Sequence, residues 1–534
     1  MTTRAPNVLM IVTDQQRADH LGCAGNSVLR TPHIDSLAQA GVRATRFHAA
    51  STTCMSNRAT LMTGRLPSLH GVVHNGINLS RDHTTFVELL RAGGYATALI
   101  GKSHLQSFGY DGPARRRWIN ANDGSEPPAA LRDARKNLRS GDDYLNEWTP
   151  DWRSGRRTHV TTPYYGFEHV ELATFHGDQV DGDYARWLAQ RHPDPARLRG
   201  RANALPSPGY SAPQAWRTAM PEELYPSAWI GERGCQWLRE HVRQAHGKPF
   251  FLNISFPDPH HPFTPPGRYW DLYRPEDMRL PQSFHEPGSS QLLKDVHRYS
   301  REGGSREGYG AYAVSERECQ ETMALTYGMV SMIDDQVGRL LLTLRELSLD
   351  EDTVILYTSD HGDMMGDHGI VLKGAMHFDG LTRVPFIWRD PATPAGNQTV
   401  DTACGTADIA QTILARCGLA PYNGMQGGNL LPLLATPDAN RQLSRPGVMV
   451  ESEPVVLPHG RTRRYRLRSL INADWRLTLS NLHELCELYD LRTDPLEQHN
   501  LWDVRLAERG QLCAQLLMEL SEQADCSPLP TAIA

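Results

Sequence analysis

Asn7-Val8-Leu9-Met10-Ile11-Val12-Thr13, followed at once by Asp14-Gln15, decides the fold. An uncharged run rich in aliphatic and β-branched side chains reads as a strand buried on both faces, the kind found in parallel sheets covered by helices. Similar short apolar runs recur at Tyr95 to Ile100, Phe250 to Phe256, Val354 to Thr358 and Val384 to Trp388. Amphipathic stretches lie between them. Thr84 to Arg91 stops at Ala92-Gly93-Gly94, a glycine terminator. Tyr225 to Gln244 and Cys319 to Leu347 are longer. The second carries Met323, Tyr327, Val330, Ile333, Val337 and Leu340 to Leu342 at helical spacing, as a core stripe.

This alternation predicts an α/β class with a large, mostly parallel central sheet sandwiched by helices. After about residue 440 the pattern changes. Arg466 to Leu470, Trp475 to Ser480 and Glu487 to Leu491 read as consecutive antiparallel strands, and Val504 to Glu522 as a helix. The expected division is a catalytic α/β domain over residues 1–440 and a small α+β domain over 441–534. Three stretches interrupt the rhythm: Gly112 to Thr162, Ala196 to Pro226 and Leu280 to Ser315. They read as rim or lid elements over strand ends, or as oligomer contacts.

A chain of 534 residues exceeds one small core, and 40% hydrophobic with 22% charged residues is ordinary globular composition. A net charge of −6 gives no reason to expect nucleic acid or an anionic membrane as partner. Local basic clusters at Arg115-Arg116-Arg117 and between Arg461 and Arg468 read as solvated loops. No run approaches the roughly 18 apolar residues of a membrane span, and the N-terminus reads as a strand and not as a signal peptide. Nine cysteines without paired spacing suggest reduced thiols. Together these features lead to the expectation of a cytoplasmic protein.

Asp14 and Gln15 follow one strand, and Asp360 and His361 follow another. Residues at the carboxyl ends of parallel strands converge on one point, where such folds bind ligands. Oxygen-rich donors there suit a hard cation. Gly101-Lys102-Ser103-His104-Leu105 and Pro259-His260-His261-Pro262-Phe263 also follow strands, and Lys373-Gly374 comes later. One further segment stands apart: Cys54-Met55-Ser56-Asn57-Arg58-Ala59-Thr60-Leu61-Met62-Thr63-Gly64-Arg65, with a cysteine at an expected helix start. Helix starts favour anions and thiolates.

The Cys54 segment resembles the signature of the sulfatases, a branch of the alkaline phosphatase superfamily, in which Cys-x-Pro-x-Arg and a later Thr-Gly-Arg mark a cysteine oxidised to formylglycine. Ser56 stands where that family usually has proline. Thr13 to Arg17 and Thr358 to Gly362 are similar to its metal-binding segments, and Glu487 to Leu491 with Asp494-Pro495 and Asn500-Leu501 resembles its C-terminal segment.

The resemblance implies a divalent metal held by Asp14, Gln15, Cys54, Asp360 and His361. Calcium is the first choice, with manganese or magnesium as alternatives. Many sulfatases have aspartate at the position of Gln15, and the related phosphonate monoester hydrolases can have glutamine. It further implies that Arg58 braces the nucleophile, that Lys102 and Lys373 bind sulfate, and that His104 deprotonates the formylglycine hydrate. His260 would meet the bridging ester oxygen, with Asn75 a weaker candidate for a non-bridging one. Asp363, Asp367 and His368 are expected to be structural, and Arg383 to anchor a strand.

The implied reaction is hydrolysis of sulfate monoesters by a formylglycine hydrate through a covalent sulfo-enzyme hemiacetal. The implied partners are a small sulfate ester and a formylglycine-generating or related maturation enzyme, with room for a homo-oligomer. Two alternatives stay open: a phosphonate monoester or phosphodiester hydrolase with the same nucleophile, and an inactive sulfate-ester binder with unmodified Cys54. Trp118, Trp148, Trp152, Tyr164 and Tyr165 could pack on a leaving group or fill a core.

Overall fold

The computed structural model describes residues 5–109, 139, 141–244, 247–393, 396–435, 443, 445–454 and 458–523. Trp118, the Arg115 to Arg117 cluster, most of the first insertion and the expected boundary at 440/441 lie outside the described residues.

The central sheet has nine strands: β1 Asn7–Thr13, β2 Val42–Ala44, β3 Ala96–Gly101, β4 His169–Thr174, β5 Asp181–Gly182, β6 Phe250–Ser255, β7 Thr353–Ser359, β8 Phe386–Arg389 and β9 Gln398–Val400. Their order is β9-β2-β8-β7-β1-β6-β3-β4-β5. The run β7-β1-β6-β3-β4 is parallel throughout, with Leu9 opposite Leu252 and Ile355. Strands β1, β3, β6 and β7 match the expected runs within a residue or two.

Strand β8, at the expected run Val384 to Trp388, runs antiparallel between β7 and β2 within the otherwise mostly parallel sheet. The chain between Ser359 and Phe386 holds a 3-10 turn (Asp367–Gly369), a two-residue strand (Ile370–Val371) and a one-turn helix (Asp379–Thr382), with no helix long enough for a parallel crossover.

Side-chain alternation sorts the sheet into two apolar layers. Val8, Met10 and Val12 join α1 (Cys54–Thr63), α2 (Phe86–Ala92) and α5 (Asp408–Arg416) through Met55, Phe86, Leu90, Ile409 and Ile413. Leu9 and Ile11 join α3 (Pro226–Gln244) and α4 (Glu316–Glu346) through Ile230, Leu238, Ile333, Val337 and Leu340. Helix α4 starts three residues earlier than expected, where Ser315 and Glu318 form a capping box. Leu342 leaves the expected stripe and is exposed, while Met323, Tyr327 and Val330 pack in a separate cluster with Tyr273.

Towards the C-terminus, β10 Val448–Ser452, β11 Leu467–Ile471, β12 Trp475–Ser480 and β13 Glu487–Asp490 form an antiparallel meander. The sequence reading missed β10. Helix α6 (Leu506–Gln523) packs Leu512 and Leu516 on Leu470, Leu477 and Leu488.

This sheet grips the loop after β7. The Arg476 guanidinium, 1% exposed, pairs with Glu487 at 2.9 Å and with Glu497. It also lies 4.8 Å from the Phe378 ring centroid. Glu497 accepts the backbone N–H of Asp379 at 2.7 Å. His377 is held between Ser469 Oγ (2.6 Å) and Ser452 Oγ (2.9 Å).

Replacing Arg476 with methionine would leave two buried carboxylates without their cation. The expected cost is about 3–5 kcal/mol. Arg492→Met, at a side chain 58% exposed, should cost less than about 1 kcal/mol. Urea unfolding of both variants checks this, and equal midpoint shifts would contradict it.

Candidate active site

Five parallel strands end side by side, so the residues that follow each of them share one rim. After β1 comes Asp14-Gln15, after β7 Asp360-His361, after β3 Lys102, after β4 His176, and after β6 the Pro259 to Pro262 turn. Helix α1 aims its N-terminus at the same place. All ten of its residues are buried, with Cys54 as the first helical residue and no side chain capping it. Asn75 Oδ1 instead accepts the N–H of Met55 at 3.1 Å. That bond engages the Asn75 oxygen with the helix that Cys54 starts.

Cys54 Sγ lies 2.7 Å from Lys373 Nζ, 3.0 Å from His361 Nε2 and 3.6 Å from Asp14 Oδ1. Burial and Asp14 push the thiol up, but Lys373, Lys102 and His361 outweigh them and hold it below its usual value. The two carboxylates are fully buried and divide their oxygens in the same way. Asp14 Oδ2 meets Lys102 Nζ, and Asp360 Oδ2 meets Arg58 Nε at 2.7 Å. Their Oδ1 atoms face inward: that of Asp14 lies 3.5 Å and that of Asp360 3.6 Å from His361 Nε2. Arg58 also donates to the Lys102 carbonyl at 3.0 Å and to Ser255 Oγ at 2.9 Å, tying three strand ends together.

Donor atoms of Asp14, Cys54, Asp360 and His361 all lie within 4.8 Å of one another. Neighbouring oxygens around a cation bound at 2.3–2.6 Å stand about 3.3–3.7 Å apart, so the inward spacing fits a hard divalent ion. Gln15 supports the fit. Its Oε1 is buried with no protein partner, while its Nε2 donates to Asp363 at 2.5 Å and approaches His261. Gln15 adopts φ 67°, a left-handed conformation costly for a non-glycine residue, and its backbone N–H donates to Asp360 Oδ1 at 3.1 Å.

His260 and His104 are also gathered at this rim. The His260 ring stacks on His176 at 3.6 Å and on His261 at 4.0 Å. Its Nδ1 meets the His261 carbonyl, and its buried Nε2 has no protein partner. Burial, then His176, Lys373 and His261, keep its pKa well below the usual histidine value. His104 stacks on Phe108 at 3.9 Å, with φ 57°. Lys373 is set by main-chain pairing, since Ala311 N donates to its carbonyl at 2.9 Å.

Two residues escaped the sequence reading. His176 lies 2.7 Å from Lys102 Nζ and 3.5 Å from Asp14 Oδ2. The strand-end argument would have found it had β4 been recognised. Glu147, from the first insertion, accepts the backbone N–H groups of His104 (2.7 Å), Leu105 (3.0 Å) and Gln106 (2.9 Å). It fixes the loop after β3, and no local pattern announces it.

The residues expected to be structural do structural work. Asp363 accepts from Met365 and Leu372, Asp367 pairs with Arg17, and His368 bonds the Glu286 carbonyl. Arg383 pairs with Asp379. Ser56 is fully buried, its Oγ without a protein partner.

Buried cations, hard donors and a thiol at a helix start define, on this fold, a hydrolase for esters of a tetrahedral anion. The Sulfatase family profile matches residues 6–419, and that of the N-sulphoglucosamine sulphohydrolase C-terminal region matches 366–525. The chain belongs to the sulfatase family, the sulfuric ester hydrolases.

An arylsulfatase of Clostridium perfringens is 28% identical over 437 residues, covering 80% of this chain and 78% of the relative. An uncharacterized sulfatase of Escherichia coli is 27% identical, covering 95% and 85%. The crystal structure of a phosphonate monoester hydrolase of Agrobacterium radiobacter superposes with a TM-score of 0.74 at 25% identity, covering 97% and 96%.

With this donor set, Asp14→Asn and Asp360→Asn should each abolish stoichiometric retention of a divalent metal. Elemental analysis of purified protein, with circular dichroism to confirm folding, checks this. Full retention of about one ion per chain in both folded variants would contradict the donor set.

Proposed function

We propose that this protein hydrolyses sulfate monoesters with a formylglycine made from Cys54. The observation that carries the proposal is the position of Cys54 Sγ, 2.7 Å from a buried lysine and beside the inward oxygen of Asp14. A hydrated aldehyde there supplies an oxygen nucleophile whose sulfate ester breaks down by expelling sulfate, which a plain serine ester cannot do. A bound divalent ion, with calcium the first choice, supplies positive charge that polarises a sulfate oxygen and lowers the nucleophile's pKa.

The chain's own residues provide the rest. A sulfate monoester is an anion, and Lys102 and Lys373 hold its non-bridging oxygens against the repulsion an anionic nucleophile would meet. Arg58 keeps Asp360 and Asp14 in place. His260, with its Nε2 free of protein partners, meets the bridging oxygen and protonates the departing alcohol. Burial, then His176, Lys373 and His261, hold the pKa of this imidazole low, and the negative charge of a bound sulfate works against them. His104 takes the proton of the second hydroxyl when the aldehyde is regenerated.

Cys54 is 1% exposed inside a buried helix, so its oxidation precedes folding. A maturation enzyme therefore reads residues 54–65 as an extended segment. Ser56 gives that segment no fixed φ, unlike proline. Among the described residues no helix is long and apolar enough to cross a membrane.

Two observations favour a second reading, a phosphonate monoester or diester hydrolase with the same nucleophile. Gln15 lowers the negative charge at the metal site, and a phosphonate monoester hydrolase is among the structural neighbours. Rates on a matched aryl sulfate, aryl phosphonate and aryl diester separate the two. The sulfate ester should have the highest kcat/KM, and the proposal fails if it is the poorest substrate. Lys373→Ala should lower kcat/KM on the sulfate by about 100- to 1,000-fold, and a change under tenfold would rule out Lys373 as a sulfate-binding residue.

A further inference from the structure

We infer that Tyr309 forms the leaving-group subsite and that the subsite takes a planar aryl group, an inference that rests on the sulfatase reading above. Three of the aromatic residues in and beside the first insertion, Trp152, Tyr164 and Tyr165, do not serve this role. Trp152, Tyr164 and Tyr165 are buried at 6%, 0% and 3% exposure. Their polar atoms bond Asn146, Glu147 and Leu79 inside the fold.

Tyr309 lies instead over the histidine stack. Its ring centroid is 5.9 Å from His260, 6.1 Å from His176 and 5.7 Å from His261, tilted by 54–66° to each. These histidines are buried at 0%, 4% and 2% exposure, whereas Tyr309 is 50% exposed. A group attached to the ester oxygen at His260 has to reach solvent from a buried imidazole. The half-exposed ring beside that imidazole marks the way out.

The ring is carried on a fixed support. Gly310 pairs with Lys373 in a parallel bridge, and Ala311 N bonds the Lys373 carbonyl. On the other side Gln214 donates to the Gly308 carbonyl at 3.1 Å and accepts from Gly308 N at 3.3 Å. The segment that sets the sulfate-binding Lys373 therefore also sets Tyr309, so the two ends of the substrate are read by one piece of backbone.

The chemistry of the mouth favours an aryl group over a sugar. A sugar needs several hydrogen-bonding partners, but the Gln214 amide is already engaged at both ends. What stands half exposed beside the buried imidazoles is an aromatic side chain, Tyr309. An aromatic leaving group gains from stacking or edge contact with such rings.

The test compares wild type, Tyr309→Ala and Tyr309→Phe on nitrophenyl sulfate and on the compact trifluoroethyl sulfate. Taking each variant as a ratio to wild type on the same substrate cancels differences in leaving-group pKa. Tyr309→Ala should lose about tenfold in kcat/KM on nitrophenyl sulfate, chiefly through KM, and less than about twofold on trifluoroethyl sulfate. Tyr309→Phe should stay near wild type on both. Equal losses on the two substrates, or no loss on the aryl ester, would overturn the inference while leaving the sulfatase reading intact. A wild-type enzyme that turns over neither sulfate would overturn that reading, and the inference with it.

Discussion

The structure depends on the mutual neutralisation of buried charges at the carboxyl end of the sheet. Asp14 and Asp360 are both fully buried, where a carboxylate without a cationic partner is costly. Lys102 and Arg58 answer one oxygen of each carboxylate, leaving the second oxygen of each turned towards Cys54 and His361. The partners come from different strands, so their pairing holds β1, β3, β6 and β7 in register at this end. The same arrangement that makes burial tolerable creates a small region of concentrated charge with inward-facing donors. Structure and chemistry rest on one set of ion pairs.

Lys373 belongs to this balance without belonging to the sheet. Its loop is fixed from outside the catalytic rim, by Ala311 on one side and by His377 and Asp379 on the other. Ser452, Ser469 and Glu497, which hold the latter two, all lie near or within the C-terminal meander. Thr52, two residues before Cys54, donates to the Gly374 carbonyl at 2.7 Å. The meander thus helps keep Lys373 against Cys54, and we propose that residues 441–534 act as a small domain in this supporting sense.

Much of this was legible in the sequence. Buried strands such as Asn7 to Thr13 announce themselves by composition, and the residues just beyond their ends fall at one rim because parallel strands end together. That logic brought Asp14, Gln15, Asp360 and His361 together, whereas Lys102, His104, His260 and Lys373 were reached only through the resemblance to the sulfatase segments. It missed His176, because His169 to Thr174 mixes polar and charged residues with apolar ones and does not read as a buried strand. It gave no access to Glu147 or Tyr309, whose places depend on how long insertions fold back over the rim. The direction of β8 was also hidden, since strand composition carries no sign of orientation. The tryptophan and tyrosine residues of the first insertion show the converse limit: bulk and polarity suit a core as well as a binding face.

The most direct test of the formylglycine mechanism is mass spectrometry of the peptide containing Cys54, taken from protein purified from its native host. Conversion to formylglycine replaces the thiol with an aldehyde, a mass change that hydrazide labelling of the same peptide confirms. The mechanism predicts the aldehyde. A quantitatively free thiol at Cys54 in protein that still hydrolyses sulfate esters would contradict it.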